Sequence, residues 1–132
     1  MTKSPIDLPG LTVTLDNLIY RHDPGNTPAG TPHIFVYFLT IINESPLAIT
    51  LLGRKWVIHN QDGETLVIEG EKIVGETPSL QTGEKFSYNS FHLTAGDAVA
   101  QGSFHGVTGD GLPIHTRTPP IVMRIPSQPQ TP

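Results

Sequence analysis

Two of the six histidines in this chain occupy positions from which their side chains could act together. The motif Gly109-Asp110-Gly111 predicts a tight turn between two strands, because glycine accepts the positive φ angles that such turns need. A hairpin around this turn places His105 directly opposite His115. Phe104 and Ile114 are then expected to face the core, so the two imidazoles face outward.

A third histidine, His59, joins this pair if its strand is the next neighbour in the sheet. Three imidazoles at one place predict a site for a borderline metal such as Zn²⁺, Ni²⁺ or Co²⁺. Mg²⁺ would instead prefer oxygen ligands. Histidines on an exposed sheet face are also ordinary polar surface, so a weakly bound divalent metal is the only cofactor that the sequence suggests.

The segment Gly70-Glu71-Lys72-Ile73-Val74-Gly75 is a second candidate, since glycine-rich loops can cradle a phosphate. Such loops lead from a strand into a helix, whereas Pro78 and a further strand follow here. Lys72 contributes one positive charge, and glutamates at positions 69, 71 and 76 oppose a bound anion. The alternatives are a phosphate or nucleotide ligand, or glycines that serve a β-bulge and a strand end.

No arrangement of serine, aspartate or histidine matches a catalytic motif such as G-x-S-x-G, and no cofactor fingerprint is present. We therefore predict no catalytic residue and a protein that is not an enzyme. A small hydrolase stays open as a further alternative, because catalytic triads are assembled in space rather than in sequence.

The candidate residues surround a β-hairpin that runs from Leu51 to Gly75. Asn60-Gln61-Asp62-Gly63 forms its turn, since Asn and Asp bond their own backbone and Gly accepts positive φ. Alternation along the first strand puts Arg54, the single tryptophan Trp56 and Ile58 on one face. The other face carries Lys55, Val57 and His59. We predict that Trp56 anchors the core, because an indole ring buries a large apolar area.

The rest of the chain shows the same alternation, without any sustained helical periodicity. Turn signals roughly every 8–12 residues separate about seven strands, which is typical of an all-β, two-sheet antiparallel β-sandwich. His33 to Asn43, apolar on both faces, is expected to be central and well covered, and Pro119-Pro120 to interrupt the last strand. We divide the chain into a loose N-terminal arm (residues 1–10), one sandwich domain (11–126) and a proline-rich tail (127–132).

Composition excludes several classes of function. The formal net charge of −4 and the pI near 5.8 argue against nucleic acid and anionic membranes as partners. No apolar run reaches the roughly 20 residues of a membrane span, and the N-terminus has no signal peptide pattern. The absence of cysteine excludes disulfides and permits a reducing compartment, so we expect a cytoplasmic protein.

A set of residues between Leu11 and Pro126 carries a family resemblance. The set comprises Leu51-Leu52, Arg54, Trp56, Ile58, Asn60, Gly63, Glu69-Gly70-Glu71, Val74-Gly75, Pro78, Gly83-Glu84, Tyr88, Gln101-Gly102-Ser103-Phe104, Pro119, Arg124 and Pro126. In order and spacing these residues resemble the ApaG domain, which implies an immunoglobulin-like sandwich of the fibronectin type III kind. The family's glycine segment usually reads G-x-G-x-x-G, so Lys72 here replaces the middle glycine.

This resemblance implies a family without a settled enzymatic activity. Bacterial members are associated with cobalt tolerance and magnesium efflux, and eukaryotic relatives in F-box proteins and in a DNA polymerase-interacting protein look like protein-binding modules. We therefore expect a non-enzymatic interaction module, connected with cobalt and magnesium homeostasis. It would act as a monomer or weak homodimer on another protein or peptide.

The predicted binding surface consists of the strand from Gly70 to Gly75 and the sheet face beside it. Glycines loosen this strand around Lys72, and an exposed strand edge can accept a partner strand. The face is expected to be cationic and to recognise an acidic segment through Lys55, Val57, His59, His105, His115 and Arg117. Two roles stay open for Arg54: a structural one, stacked on an aromatic ring or paired with a carboxylate, and contact with the partner.

Overall fold

A computed structural model of the protein describes residues 4–127, which form ten β-strands and contain no helix. In chain order these strands are β1 (Ile6–Asp7), β2 (Leu11–His22), β3 (His33–Asn43), β4 (Ile49–Asn60), β5 (Thr65–Glu71), β6 (Ser79–Leu80), β7 (Lys85–Thr94), β8 (Ala98–Thr108), β9 (Pro113–Arg117) and β10 (Ile121–Met123). The seven strands of five residues or more are those predicted from the alternation. The predicted tail, apart from Ser127, lies outside the described residues. Nowhere in residues 4–127 is there a helix long and apolar enough to span a membrane.

The strands form two facing sheets, which confirms the predicted all-β sandwich. In the larger sheet the order is β1-β9-β8-β4-β5, with β10 also beside β8 and β6 also beside β4; the smaller sheet has the order β2-β3-β7. Pro119-Pro120 separates β9 from β10, as predicted. The named pairs are antiparallel except β1 with β9, which run parallel at Ile6–Ile114 and Asp7–His115. The N-terminal arm, expected to be loose, is thus held to the larger sheet at two residues.

The core lies between the sheets and contains the residues predicted for it. Trp56 is 2% exposed and Phe35 1%, and Phe104 and Ile114 are fully buried. The indole of Trp56 packs edge-on against Phe104 and lies beside Tyr37, with ring centroids 6.4 and 4.9 Å apart. These contacts join β4 and β8 of the larger sheet to β3 of the smaller one.

The register between β4 and β8 is fixed by a close contact in this core. Gly102 lies opposite Trp56, and a Cβ atom at this glycine would come within 2.6 Å of the indole ring. A side chain at that position would displace the ring, so the contact holds the two strands in one alignment. The same register places Gly53 opposite His105.

Candidate functional site

β5 is an edge strand of the larger sheet, and it leaves half of its backbone free. Asn60 N donates to Glu64 O at 2.8 Å and Lys72 N donates to Leu52 O at 2.7 Å, which fixes the hydrogen-bonded register with β4. In an antiparallel ladder alternate residues bond the neighbouring strand. The backbone groups of the even-numbered residues of β5 therefore face β4. The N–H groups of Thr65, Val67, Glu69 and Glu71 point outward, as do the C=O groups of the first three, and no strand among residues 4–127 bonds them.

Arg54 fastens the end of β5 to β4. Its Nη1 donates to the carbonyl oxygens of Glu71 and Lys72, both at 2.9 Å. The guanidinium lies across Gly70, where a Cβ atom would come within 2.7 Å of Nη1. Arg54 thus has the structural role that was one of the two alternatives, although it bonds backbone carbonyls rather than an aromatic ring or a carboxylate.

The segment that follows β5 is a closed turn rather than a loosened strand. Ile73 is fully buried, and its backbone exchanges two hydrogen bonds with Glu76, at 2.7 and 3.1 Å. Lys72 and Val74 adopt φ angles of 68° and 48°. The expectation that Gly70 to Gly75 offers an open edge is therefore wrong from Lys72 onward, because the amides of Lys72, Ile73 and Glu76 bond β4 or the turn itself. The open edge is that of β5, which ends at Glu71.

This turn also lacks the geometry of a phosphate loop. It leads into β6, not into the N-terminus of a helix. The amides of Lys72, Ile73 and Glu76 already donate to backbone carbonyls. These three donors are unavailable to an anion, and Gly75, at a φ of 80°, serves the turn itself.

The histidine prediction is half right. His105 and His115 are opposite each other on β8 and β9, as expected, and His115 Nε2 lies 3.0 Å from Asp7 Oδ1. His59 lies opposite Val99, at the other end of β4. Six residues of strand separate His59 from the position opposite His105, which is about 20 Å. The predicted three-histidine site is therefore wrong, and the described part of the chain holds no group of three metal-ligating side chains.

The outer face of the larger sheet carries both signs of charge. Lys55 Nζ lies 3.5 Å from Glu69 Oε1, and Asp7 pairs with His115. Lys55, Glu69 and the two opposed histidines line a shallow depression of about 540 Å³. The prediction of a cationic face is wrong, because Glu69 on β5 and Asp7 on β1 lie beside its basic residues. β5 is the predicted hairpin partner of β4, whereas the pairing of β1 with β9 was not predicted.

The inner face of β7 carries polar groups that the sequence analysis missed. His92 is 6% exposed and Thr94 2%, and neither His92 Nε2 nor Thr94 Oγ1 has a hydrogen-bond partner among the described residues. Burial lowers the pKa of His92 from 6.5 to about 4, and burial raises the pKa of Tyr88. The sequence does contain a signal for these buried polar groups. Every second residue of β7 faces inward, so Ser90, His92 and Thr94 continue the inward row that Phe86 and Tyr88 begin.

The outer face of the smaller sheet is an apolar surface that the sequence analysis also missed. Phe91 is 57% exposed and lies opposite Val36, which in turn lies opposite Ile19. Val36 and Ile34 are only half buried. β3 is the central strand of its sheet, as predicted. The expectation that both of its faces are well covered is wrong, because only neighbouring side chains shield its outer face.

Comparison with known proteins identifies the family. Residues 25–108 match the sequence model of the ApaG domain family, and the chain therefore belongs to this family, which is not a known enzyme family. A protein named ApaG from Deinococcus radiodurans is 36% identical over 91 residues, covering 69% of this chain and 65% of that protein. One from Enterobacter sp. (strain 638) is 35% identical over 85 residues, covering 64% and 66%. The chain thus spans slightly less than two thirds of the length of these relatives.

Two solved structures share the fold. The crystal structure of a putative ApaA protein from Bordetella pertussis superposes with a TM-score of 0.74 at 23% identity, covering 94% of this chain and 100% of that one. An X-ray structure from a structural genomics consortium gives a TM-score of 0.78 at 24% identity, covering 89% and 88%. At these identities the likeness establishes the fold alone.

Proposed function

We propose that this ApaG domain is a non-enzymatic interaction module that captures an extended segment of a partner protein along the edge of β5. The observation that carries the proposal is the row of outward backbone groups from Thr65 to Glu71. A partner strand of five to seven residues would continue the larger sheet there, and its main-chain hydrogen bonds would supply affinity independent of sequence.

Side chains beside the edge supply the selectivity. Val67 is 51% exposed on the outer face of the sheet, and Lys55 and Glu69 lie next to it. Alternate side chains of an added strand would reach this apolar and mixed-charge surface. A segment with apolar residues flanked by charges of both signs suits it better than the uniformly acidic segment expected from the sequence.

The turn after β5 supports this role by keeping the edge in place. Arg54 bonds the carbonyls of Glu71 and Lys72, and Ile73 inserts into the core. A strand held at its end in this way loses little further entropy when a partner adds to it. In this proposal the family's association with cobalt and magnesium arises from the captured partner. Residues 4–127 contain no group of three metal-ligating side chains.

The proposal is tested by removing one outward N–H group. Glu69→Pro deletes this donor at an edge position, where proline is tolerated, whereas Glu69→Ala removes the same side chain and keeps the donor. Immobilised wild-type protein and both variants are used to capture partners from a lysate of the encoding organism, with quantification by mass spectrometry.

Strand addition predicts partner capture that is at most weakened by Glu69→Ala and is lost with Glu69→Pro, with thermal midpoints of the two variants within a few degrees of each other. Equal capture by both variants contradicts it. Sedimentation at increasing protein concentration shows in addition whether a second copy of the chain occupies the edge, since Glu69→Pro would then abolish the dimer.

A further inference from the structure

Two further histidines face each other at one end of the smaller sheet. His22 on β2 and His33 on β3 are register partners. The next pair along the strands is joined by a backbone bond, since Asp23 N donates to Pro32 O at 2.9 Å. The histidines therefore occupy a non-hydrogen-bonded position, where the side chains of an antiparallel pair come closest. Their ring centroids are 5.4 Å apart, and their planes are inclined by 34°.

A tyrosine holds one of these rings in place. Tyr20 Oη and His33 Nδ1 lie 2.7 Å apart, and the two rings stack with their centroids separated by 5.8 Å. Tyr20 also packs against Phe35, which belongs to the core. The bond to Tyr20 occupies Nδ1 and leaves Nε2 as the nitrogen of His33 that a ligand can use. Metal-binding histidines commonly have such a hydrogen bond at their second nitrogen, because it sets the tautomer and the orientation of the ring.

The spacing of the two rings suits one shared ion. A metal–nitrogen bond of about 2.0–2.1 Å puts the ion about 3.2 Å from the centroid of an imidazole. Two imidazoles that bind one ion at an angle of about 100–110° then have centroids about 5 Å apart. The rings of His22 and His33 are 5.4 Å apart, and the exposed side chain of His22 can rotate to close the difference.

The surroundings favour a cation and limit the site to two protein ligands. Residues 23–32, which join β2 to β3, contain no lysine or arginine, and Asp23 adds a negative charge directly after His22. The carboxylate of Asp23 accepts from Asn26 Nδ2 at 3.0 and 3.2 Å. It is not a third ligand, because residues 4–127 hold no group of three ligating side chains.

The pair formed by His105 and His115 is built differently. Nε2 of His115 lies 3.0 Å from a carboxylate oxygen of Asp7, so this ring would have to bind an ion through Nδ1, next to its own main chain. The ring of His105 lies against the backbone of β4, where a Cβ atom at Gly53 would come within 2.5 Å of it. This second pair therefore serves as a matched control for the first.

We propose that His22 and His33 form a binding site for a late first-row divalent transition-metal ion, with Cu²⁺ bound most tightly. Imidazole nitrogen suits these ions, and the affinity of a given set of ligands rises along the row to Cu²⁺. One ring nitrogen of each histidine binds the ion, Tyr20 orients His33, and water completes the coordination. The site lies on the smaller sheet and does not depend on the edge of β5.

A titration of the full chain with up to one equivalent of Cu²⁺ tests this site with two spectroscopic readouts. Electron paramagnetic resonance should show hyperfine coupling to two nitrogen ligands. In the amide spectrum, paramagnetic broadening should be strongest at residues 21–23 and 33–35 and weak at residues 103–117. Calorimetry of the same titration gives the affinity.

Variants connect the affinity to the two rings and to the tyrosine. His22→Gln and His33→Gln each remove one ligand and keep a polar side chain, so each should weaken Cu²⁺ binding by about tenfold or more. Tyr20→Phe keeps both ligands and removes one hydrogen bond; as Tyr20 is a positioning residue, this change should weaken binding about tenfold while two nitrogens stay coupled. The double variant His105→Gln, His115→Gln should keep the affinity and the spectrum.

Unchanged affinity in His22→Gln and in His33→Gln would overturn the proposal. Coupling to a single nitrogen in the wild-type protein would overturn it as well, because the ion would then be held by one exposed histidine and not by the pair. Broadening centred on residues 103–117, with affinity lost in the double variant, would assign the copper to the other pair.

Discussion

Arg54 and Gly70 form a pair in which the missing side chain of one makes room for the guanidinium of the other. Nη1 of Arg54 would lie 2.7 Å from a Cβ atom at position 70, while it donates to the carbonyls of Glu71 and Lys72. The pair fixes the end of β5, the strand whose edge we propose as the binding site. Two of the residues on which the family resemblance rests thus hold the end of β5 together.

The clamp predicts a strong coupling between these two positions. Gly70→Ala should cost about 1–3 kcal/mol because it displaces the guanidinium, and Arg54→Ala about 1–2 kcal/mol through lost hydrogen bonds. In the Arg54→Ala background, Gly70→Ala should be neutral or stabilising, since alanine suits a strand better than glycine. Chemical denaturation of the four proteins gives the coupling, and additive costs would show that Arg54 does not depend on Gly70.

The turn after β5 predicts a stabilising substitution. Lys72 has a φ of 68°, in the left-handed region where a non-glycine residue costs about 1–2 kcal/mol. Lys72→Gly should therefore raise the free energy of unfolding by about 0.5–1 kcal/mol, after the greater freedom of glycine in the unfolded chain is subtracted. Glu71→Gly, one residue earlier in the strand, is the matched control and should lower it. Destabilisation by both substitutions would contradict a left-handed Lys72.

His92 predicts a loss of stability in mild acid. Its pKa is 6.5 when unfolded and about 4 in the folded protein, so the unfolded chain binds the proton more tightly. The contribution of His92 to the free energy of unfolding is fully present above pH 6.5. It should decline by roughly 3 kcal/mol as the pH falls to 4. Denaturation midpoints between pH 7 and pH 4, compared with those of His92→Gln, isolate this contribution. Parallel profiles for the two proteins would mean that His92 already ionises in the folded state.

Local chemistry predicts most of the strands and several faces. Glycine and aspartate around Asp110 define a turn, and counting residues away from it is sufficient to oppose His105 and His115. Alternation around Trp56 likewise identifies the buried face of β4. These inferences succeed because they depend only on a period of two and on nearby residues.

Register between strands distant in sequence could not be predicted in this way. β4 does lie beside β8, but the contact of Trp56 with Gly102 aligns them so that His59 meets Val99. The pairing of β1 with β9 is equally non-local, and it brings Asp7 to the histidines. Such alignments are decided by packing in three dimensions, which one sequence does not display.

A pocket of about 490 Å³ between the β4–β5 turn and the β7–β8 turn was missed for a related reason. Asp62 and Asp97 lie in turns that were recognised, yet nothing in the sequence says that these turns meet. Thr94 completes an inward row that becomes polar after Tyr88, a signal visible in the alternation of β7. The positive φ of Val74 has no sequence signal, because a β-branched residue is among the least suited to it.

Site-specific photo-crosslinking tests the central claim most directly. A benzophenone amino acid replaces Val67 beside the edge of β5 in one protein and Phe91 on the smaller sheet in another; these side chains are 51% and 57% exposed. Irradiation in a lysate of the encoding organism should yield discrete partner adducts from position 67 that disappear with Glu69→Pro, and none from position 91. Adducts from position 91 and none from position 67 would contradict the account and assign the interaction to the apolar face of the smaller sheet.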